Sequence, residues 1–326
     1  MKCINKAFLL SLTVLSVFLF AGCGNKEFSM EFDRNMNSTS YSMVSIAEVN
    51  STLTPYTESI CVDFGEYPKN SEYLMAEAGG LFDMTGYDVV YGKNLYQSMN
   101  PASLTKIMTA YVALKYGNLG DRLTVSENAM ITESGAQTAG LKVGDTMTLE
   151  QALNIMMVCS ANDAAAAIAE HVGGGNIDVF VNAMNAEALR IGATGTHFTN
   201  PHGLTNEAHK TTPYDLYLIF NEALKDETFK AIIGQVAYST NIYDAAGNPK
   251  EISVNSTNSF LRGDYEAPPE VAVLGGKTGT TAAAGSCLAI YAKDSANRYF
   301  VSVILNAPDR ETSYTDTIAL LQLHGS

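Results

Sequence analysis

The stretch Pro101-Ala-Ser-Leu-Thr-Lys-Ile-Met-Thr-Ala110 decides how the rest of the chain is read. Ser103 and Lys106 are three residues apart, so on a helix they lie on one face. A serine hydroxyl is a poor nucleophile until a base takes its proton. A lysine can be that base once its pKa is lowered, and both burial and the positive end of a helix push it down. From Ala102 to Lys115 apolar residues (Ile107, Met108, Ala110, Tyr111, Val112, Leu114) surround most of the circumference. That pattern predicts a core helix ending at Gly117. Ser-x-x-Lys alone is a common string and needs partners elsewhere in the chain.

Outward from this helix the chain changes period. Leu81-Phe-Asp-Met and Val89-Val-Tyr predict a hairpin around Thr85-Gly86. Downstream, Leu123-Thr-Val and the Ala139–Thr146 region read as short strands and turns. Thr148-Leu-Glu-Gln151 fits a capping box. The helix it opens breaks at Val158-Cys-Ser-Ala-Asn162, and an Ala-rich helix begins near Asp163. Asn176 to Arg190 is amphipathic, and Thr212-Pro213 starts a further helix. After Phe229 strands are expected at 235–243, 250–254, 271–274, 287–292 and 299–305, then a closing helix at 315–323. The fold class expected is α+β: an antiparallel five-stranded sheet flanked by terminal helices, with an inserted all-α subdomain at about 105–230.

The chain has 326 residues, 46% hydrophobic and 17% charged, enough for a packed core. A net charge of −14 without any basic run argues against nucleic-acid binding. Residues 1–22 read as a signal peptide, with Lys2 and Lys6 before the apolar run Ala7–Ala21. Leu19-Phe-Ala-Gly-Cys23 resembles a bacterial lipobox, which makes Cys23 a lipidation site and 23–72 a tether. An ordinary secretory cleavage is the other reading. Either one places the body, 73–326, outside the cytoplasm. Cys61, Cys159 and Cys287 are odd in number and scattered, so they read as buried free thiols with one bridge possible. No metal or cofactor is indicated, because no His/Cys spacing fits a metal site.

Two more segments complete the chemistry. Ser160-Ala-Asn162 lies at the inter-helix break, and Gly275-Gly-Lys-Thr-Gly-Thr280 follows the strand at 271–274. The order Ser-x-x-Lys, Ser-x-Asn, Lys-Thr-Gly is that of the penicillin-recognising serine acyl transferases. The match tightens in Cys159-Ser-Ala-Asn-Asp-Ala-Ala165, Thr199-Asn-Pro-His-Gly-Leu204, His209-x-Thr-Thr-Pro-Tyr-Asp215 and Ala284-Gly-Ser-Cys-Leu288. From about Met75 to Leu321 the chain resembles the serine-type D-Ala-D-Ala carboxypeptidases, the low-molecular-weight penicillin-binding proteins of peptidase family S11.

That resemblance implies removal of the terminal D-Ala from peptidoglycan stem peptides, with β-lactams as inhibitors. Ser103 would form the acyl-enzyme, Lys106 would take its proton, and Ser160 would relay a proton to the leaving amine. Asn162 would hold Lys106 and the substrate amide. Lys277 and Thr278 would meet the substrate carboxylate, and Gly279 would leave room for substrate beside the strand. The N–H groups of Ser103 and Thr280 would form an oxyanion hole, worth about 3–4 kcal/mol per donor. Arg310 adds positive potential or makes a surface salt bridge. His202 and His209 are expected to fix a loop. Many relatives carry a second β-rich domain and a C-terminal anchor. This chain is expected to have neither, with membrane attachment through the N-terminal lipid instead.

Three rivals remain. A class A β-lactamase needs a glutamate in a Glu-x-x-x-Asn segment to drive deacylation, and Glu187 begins Glu-Ala-Leu-Arg-Ile191 without the Asn. A catalytically silent penicillin-binding sensor or scaffold would not need Ser103, Lys106, Ser160 and Lys277 together. An esterase or transpeptidase on the same fold shares the acyl-enzyme and differs in what accepts it.

Overall fold

The computed structural model describes residues 60–65 and 74–325. The signal segment and Cys23 lie outside the described residues.

β1 (Ala78–Asp83) and β2 (Asp88–Lys93) form the expected hairpin. The Asp83 carboxylate closes its turn by accepting the N–H groups of Thr85 and Gly86 at 2.8 and 2.9 Å. A single 3₁₀ turn (Ala102–Leu104) then leads into α1 (Thr105–Tyr116). Every residue from Thr105 to Ala113 is buried, as the all-round apolar pattern requires.

Two three-residue strands follow, β3 (Arg122–Thr124) and β4 (Thr146–Thr148). α2 (Leu149–Cys159) opens on the capping box: Thr148 and Gln151 exchange side-chain to backbone bonds of 3.1 and 2.8 Å. It stops at Ser160, whose φ of 65° is left-handed, and α3 (Asn162–Val172) starts at once. α4 (Ile177–Ile191) and α5 (Pro213–Ala223) complete the expected helices. α6 (Glu227–Ile233) is an addition to them. Asp226 caps it, and Phe229, Ile232 and Ile233 are buried, a helical spacing in a segment expected to turn toward strands.

β5 (Ala237–Tyr243), β6 (Pro249–Asn255), the one-turn α7 (Ser259–Arg262), β7 (Val271–Thr281), β8 (Gly285–Asp294), β9 (Tyr299–Ala307) and α8 (Arg310–Leu321) finish the chain. The main sheet is antiparallel and five-stranded, in the order β2-β1-β9-β8-β7. β8 and β9 are apolar on both faces because both are covered. Leu288, Ile290, Phe300 and Ile304 join a core with Tyr314, Leu320 and Leu321 of α8. Ala289, Tyr291, Val301 and Val303 join the main core with α1 and α5. Phe82 of β1 stacks on Tyr217 of α5 at 4.2 Å between ring centroids.

Four differences from the sequence expectation bear on the site. The insertion is not all-α: β3, β4, β5 and β6 form a second, four-stranded sheet. Its first two strands are too short to show a period. β7 does not end at Leu274 but runs to Thr281, so Lys277-Thr-Gly279 lies within the strand. α8 begins at Arg310, because Asp309 accepts the Thr312 N–H at 2.8 Å and caps the helix there. Part of the expected tether is packed. Cys61 is fully buried, its N–H donates to the Tyr217 hydroxyl, and its carbonyl accepts the Tyr214 hydroxyl, both at 2.7 Å.

Candidate active site

Ser103, Ser160, Asn162, Thr278, Gly279, Thr280 and Arg310 line one cleft of about 500 Å³. Three pieces of backbone carry its motif residues: the turn before α1, the break between α2 and α3, and edge strand β7; Arg310 reaches it from the start of α8. Gly279 is the tight point. A Cβ there would lie 2.9 Å from the backbone nitrogen of Ser103, so the missing side chain lets the strand press against the serine turn. The expected role for Gly279 was room for substrate; the room is taken first by Ser103.

Lys106 is fully buried. Its Nζ lies 2.9 Å from Ser103 Oγ, 2.6 Å from Asn162 Oδ1 and 2.7 Å from the His202 carbonyl. Burial, and then the charge of Lys277, hold its pKa well below the usual lysine value. A neutral amine has two N–H donors and one lone pair. Asn162 Oδ1 and His202 O can only accept, so they take both donors. The lone pair is left facing Ser103 Oγ, where it can accept the hydroxyl proton.

Lys277, only 1% exposed, donates to Ser160 Oγ and to the Thr278 carbonyl, both at 2.8 Å. Burial lowers its pKa to about 7. Ser160 thus sits in hydrogen-bond contact with a lysine that can supply a proton. Thr278 Oγ1 donates to Thr257 Oγ1 at 2.6 Å. Arg310 Nη2 reaches the Thr257 carbonyl at 2.6 Å and Ser259 Oγ at 3.0 Å, with the guanidinium 5.7 Å from the Tyr314 ring centroid. Its partners are a carbonyl and a hydroxyl rather than the carboxylate of a salt bridge, and it faces the cleft beside Thr278.

The two histidines do no chemistry at Ser103. Burial pulls His202 down to about 3 and His209 to about 4, so both rings are neutral near pH 7. His202 contributes its carbonyl to Lys106. The three thiols are free and buried, and burial pushes Cys159 up to about 11 and Cys61 and Cys287 to about 12. A thiol held protonated in this way is not a nucleophile, although Cys159 adjoins Ser160.

Asp163 lies inside the quoted Ser160 motif, but no sequence signal gives its role, and none points to Thr257 or the loop at 133–137. Asp163 accepts the N–H groups of Ala139 and Leu141, and Gln137 O accepts the Asn162 N–H at 2.8 Å. These bonds pin the loop that forms one rim of the cleft. Glu133 on that loop is the one carboxylate among the described residues lining the cleft. Glu187 is remote. Burial opposes its ionisation, but bonds from Lys115, Tyr116, Arg190 and Tyr111 outweigh burial and draw its pKa down to about 2. Away from Glu187, the Glu-x-x-x-Asn spacing does occur, at Glu150–Asn154 and Glu251–Asn255. Both lie outside the cleft, on α2 and β6. Two more instances, Glu31–Asn35 and Glu66–Asn70, lie outside the described residues.

A serine with a lysine lone pair beside it, a second buried lysine on an edge strand and an α+β frame define a serine acyl-transfer site. The chain belongs to the D-alanyl-D-alanine carboxypeptidase family, peptidase S11, whose match covers residues 68–309. It is 31% identical to the D-alanyl-D-alanine carboxypeptidase DacF of Bacillus subtilis over 236 residues, which is 71% of this chain and 57% of that one. It is 29% identical to the D-alanyl-D-alanine carboxypeptidase of Streptomyces sp. strain K15 over 238 residues, 69% of this chain and 80% of that one. The crystal structure of the Streptomyces K15 DD-transpeptidase superposes with a TM-score of 0.71 at 27% identity, covering 77% of this chain and 97% of that one. The chain therefore spans little more than half the length of the Bacillus relative.

Proposed function

We propose that this protein is a serine-type D-Ala-D-Ala carboxypeptidase acting on peptidoglycan stem peptides and acylated by β-lactams at Ser103. The observation that carries this reading is the Ser103–Lys106 contact of 2.9 Å, with both amine donors of Lys106 engaged elsewhere. Ser103 Oγ attacks the carbonyl between the two D-alanines, and Lys106 Nζ accepts the proton. The N–H groups of Ser103 and Thr280 receive the oxyanion. Collapse breaks the C–N bond, and a proton passing from Lys277 through Ser160 goes to the departing D-Ala amine. Thr278, Arg310 and the charge of Lys277 hold the terminal carboxylate. As D-Ala leaves, Lys106 gives up the proton it took and Lys277 regains one from solvent. Water then attacks the ester with neutral Lys106 as base a second time, since the described residues place no paired glutamate beside Ser103. Collapse breaks the ester C–O bond as that proton returns to Ser103 Oγ.

The family contains both carboxypeptidases and a transpeptidase by name. The two differ only in whether water or an amine takes the acyl group. D-Ala release from a diacyl-D-Ala-D-Ala peptide, with and without an acceptor amine, separates them. The expected result is release that needs no amine, with penicillin labelling abolished in Ser103→Ala. No label on the wild type, or label that survives the substitution, would sink the mechanism. Among the described residues no helix is long and apolar enough to cross a membrane. The expected lipid at Cys23 supports membrane attachment, with residues up to about 59 as tether and the catalytic body after them. Cys23→Ala should release the protein from the membrane fraction, and an unchanged distribution refutes the lipid.

A further inference from the structure

We infer that Thr105 and His209 are positioning residues that aim the oxyanion-hole N–H of Ser103. The inference rests on the reading of Ser103 as the acylated serine. It starts from the planarity of the peptide bond: the Ala102 carbonyl and the Ser103 N–H are two ends of one rigid unit, so whatever fixes the carbonyl fixes the direction of the N–H.

A relay ends on that carbonyl. The Thr199 backbone N–H can only donate, and it lies 3.0 Å from His209 Nδ1. Nδ1 is therefore the acceptor, and the ring hydrogen of the neutral imidazole is on Nε2. Nε2 lies 2.8 Å from Thr105 Oγ1 and donates to it. The Thr105 hydroxyl spends its one hydrogen on the Ala102 carbonyl, also at 2.8 Å. The Thr105 N–H reaches the same oxygen, which occupies its second lone pair.

The held unit has reason to move. Ala102 has a φ of 47°, a left-handed conformation that a residue with a Cβ avoids. Its relaxation would rotate the peptide and swing the Ser103 N–H. Two contacts close the site around it. Gly203 packs on the Ala102 carbonyl so tightly that a Cβ would come within 1.9 Å of the oxygen, and Gly279 presses on Ser103 N from the strand side. Thr105 is 0% and His209 2% exposed, so water does not replace a lost partner. The His209 ring is itself set edge-on to Phe198 at 5.5 Å between ring centroids. This gives physical content to a histidine in the sequence stretch His209-x-Thr-Thr-Pro-Tyr-Asp215 that touches no reacting atom.

The test uses the full-length protein and three variants: Thr105→Val, Thr105→Ser and His209→Gln. Two quantities are read: D-Ala release, and affinity for a peptide boronic acid that closes a tetrahedral adduct on Ser103. A mis-aimed donor weakens the tetrahedral state and leaves ground-state binding alone. The expected result for Thr105→Val is a kcat lower by about 10- to 100-fold, with boronate affinity falling by a like factor and KM within about twofold. Thr105→Ser, which keeps the hydroxyl, should stay within about threefold of wild type, with His209→Gln between the two. The inference is overturned if Thr105→Val keeps wild-type kcat and boronate affinity. It is also overturned if Thr105→Ser loses as much as Thr105→Val, since the hydroxyl is then not what matters. A wild-type protein that neither releases D-Ala nor takes penicillin at Ser103 overturns the functional reading beneath it. An active wild type with an indifferent Thr105→Val overturns the relay alone.

Discussion

Lys106 and Lys277 are both buried behind residues that line one cleft, the first on a core helix behind Ser103 and the second on an edge strand behind Ser160 and Thr278. Their partners differ. Lys106 has two acceptors of fixed polarity besides the serine, so its neutral form is fully satisfied. Lys277 has its own strand's carbonyl and a hydroxyl, which can turn either way. Burial depresses both, but Lys106 is depressed further by the charge of Lys277, and Lys277 settles near 7. The contrast teaches that similar burial yields two roles when the hydrogen-bond partners are different: a base kept unprotonated, and a cation that can give up its proton near neutrality.

The largest break in that comparison is Lys106→Ala. Loss of the base should lower the acylation rate by about 100- to 10 000-fold, measured by stopped-flow labelling with a fluorescent penicillin. A Lys277→Ala variant that falls further than Lys106→Ala would reverse the assignment of base.

Lys277→Ala comes next, with kcat/KM down by about 10- to 100-fold for a substrate with a free carboxylate, the range of a lost charge-assisted hydrogen bond. Its pH profile is the sharper readout. Lys106 must be neutral, so kcat/KM rises as pH climbs through its pKa. Removing the Lys277 charge takes away a depressing influence on Lys106. The acid limb should therefore move to higher pH in Lys277→Ala and stay in place in Lys277→Arg. In the wild type Lys277 loses its charge above about 7. The alkaline decline should accordingly be steeper for a peptide carboxylate, which loses both its ion partner and its proton donor, than for its amide, which loses the proton donor alone. An acid limb that does not move would remove the coupling between the two lysines.

Arg310, at the start of α8, lines the same cleft beside Thr278. It is exposed and held by a carbonyl and a hydroxyl, so its charge is partly screened. Arg310→Gln should raise KM by about 3- to 10-fold and leave kcat near wild type, the pattern of lost uniform binding. A fall in kcat with KM unchanged would move Arg310 from binding into the chemistry.

Much of this contrast is legible in the amino-acid sequence. Apolar residues around its whole circumference mark the helix of Ser103, and Thr148, Thr212 and Pro213 announce their helix starts. The sheet is legible because β8 and β9 are apolar on both faces. The second sheet is legible only in part: its strands at Ala237–Tyr243 and Pro249–Asn255 alternate, but three residues at Arg122–Thr124 and Thr146–Thr148 carry no period that would place them beside that pair. The strand carrying Lys277 is cut short in the sequence reading at Gly275-Gly276, which have no side chains to continue its pattern. It stays in the sheet because Ile233 and Ala289 fill the space where side chains would be. The motifs name the residues that face substrate. Those that hold them, Thr105, Asp163, His209 and Thr257, each make at least one hydrogen bond to a segment distant in the chain, and local pattern does not encode such bonds.

The smallest effect is on stability, and its sign is opposite to the effects on rate. The Lys277 pKa is lowered from 10.5 to about 7 on folding. The unfolded chain therefore binds more protons than the folded one between those values, and stability rises with pH across that window. Below about 7 the folded protein carries the full cost of a buried cation, several kcal/mol at about 1.36 kcal/mol per unit. Lys277→Met keeps the apolar stem and removes that cost, but it also strips Ser160 Oγ and the Thr278 carbonyl of a donor, which returns about 1–3 kcal/mol. The net expectation at pH 6 is a small gain, with Tm higher by a few degrees at about 2–4 °C per kcal/mol, while D-Ala release falls by about as much as in Lys277→Ala. The gain should shrink as pH rises toward 10.5, where wild-type Lys277 is neutral when unfolded as well. Thermal melts of the two proteins at pH 6 and pH 9.5 decide it. A variant less stable than wild type at pH 6, or a gain that grows with pH, would mean that the folded protein does not hold Lys277 as a costly cation, and the contrast with Lys106 would then rest on hydrogen bonding alone.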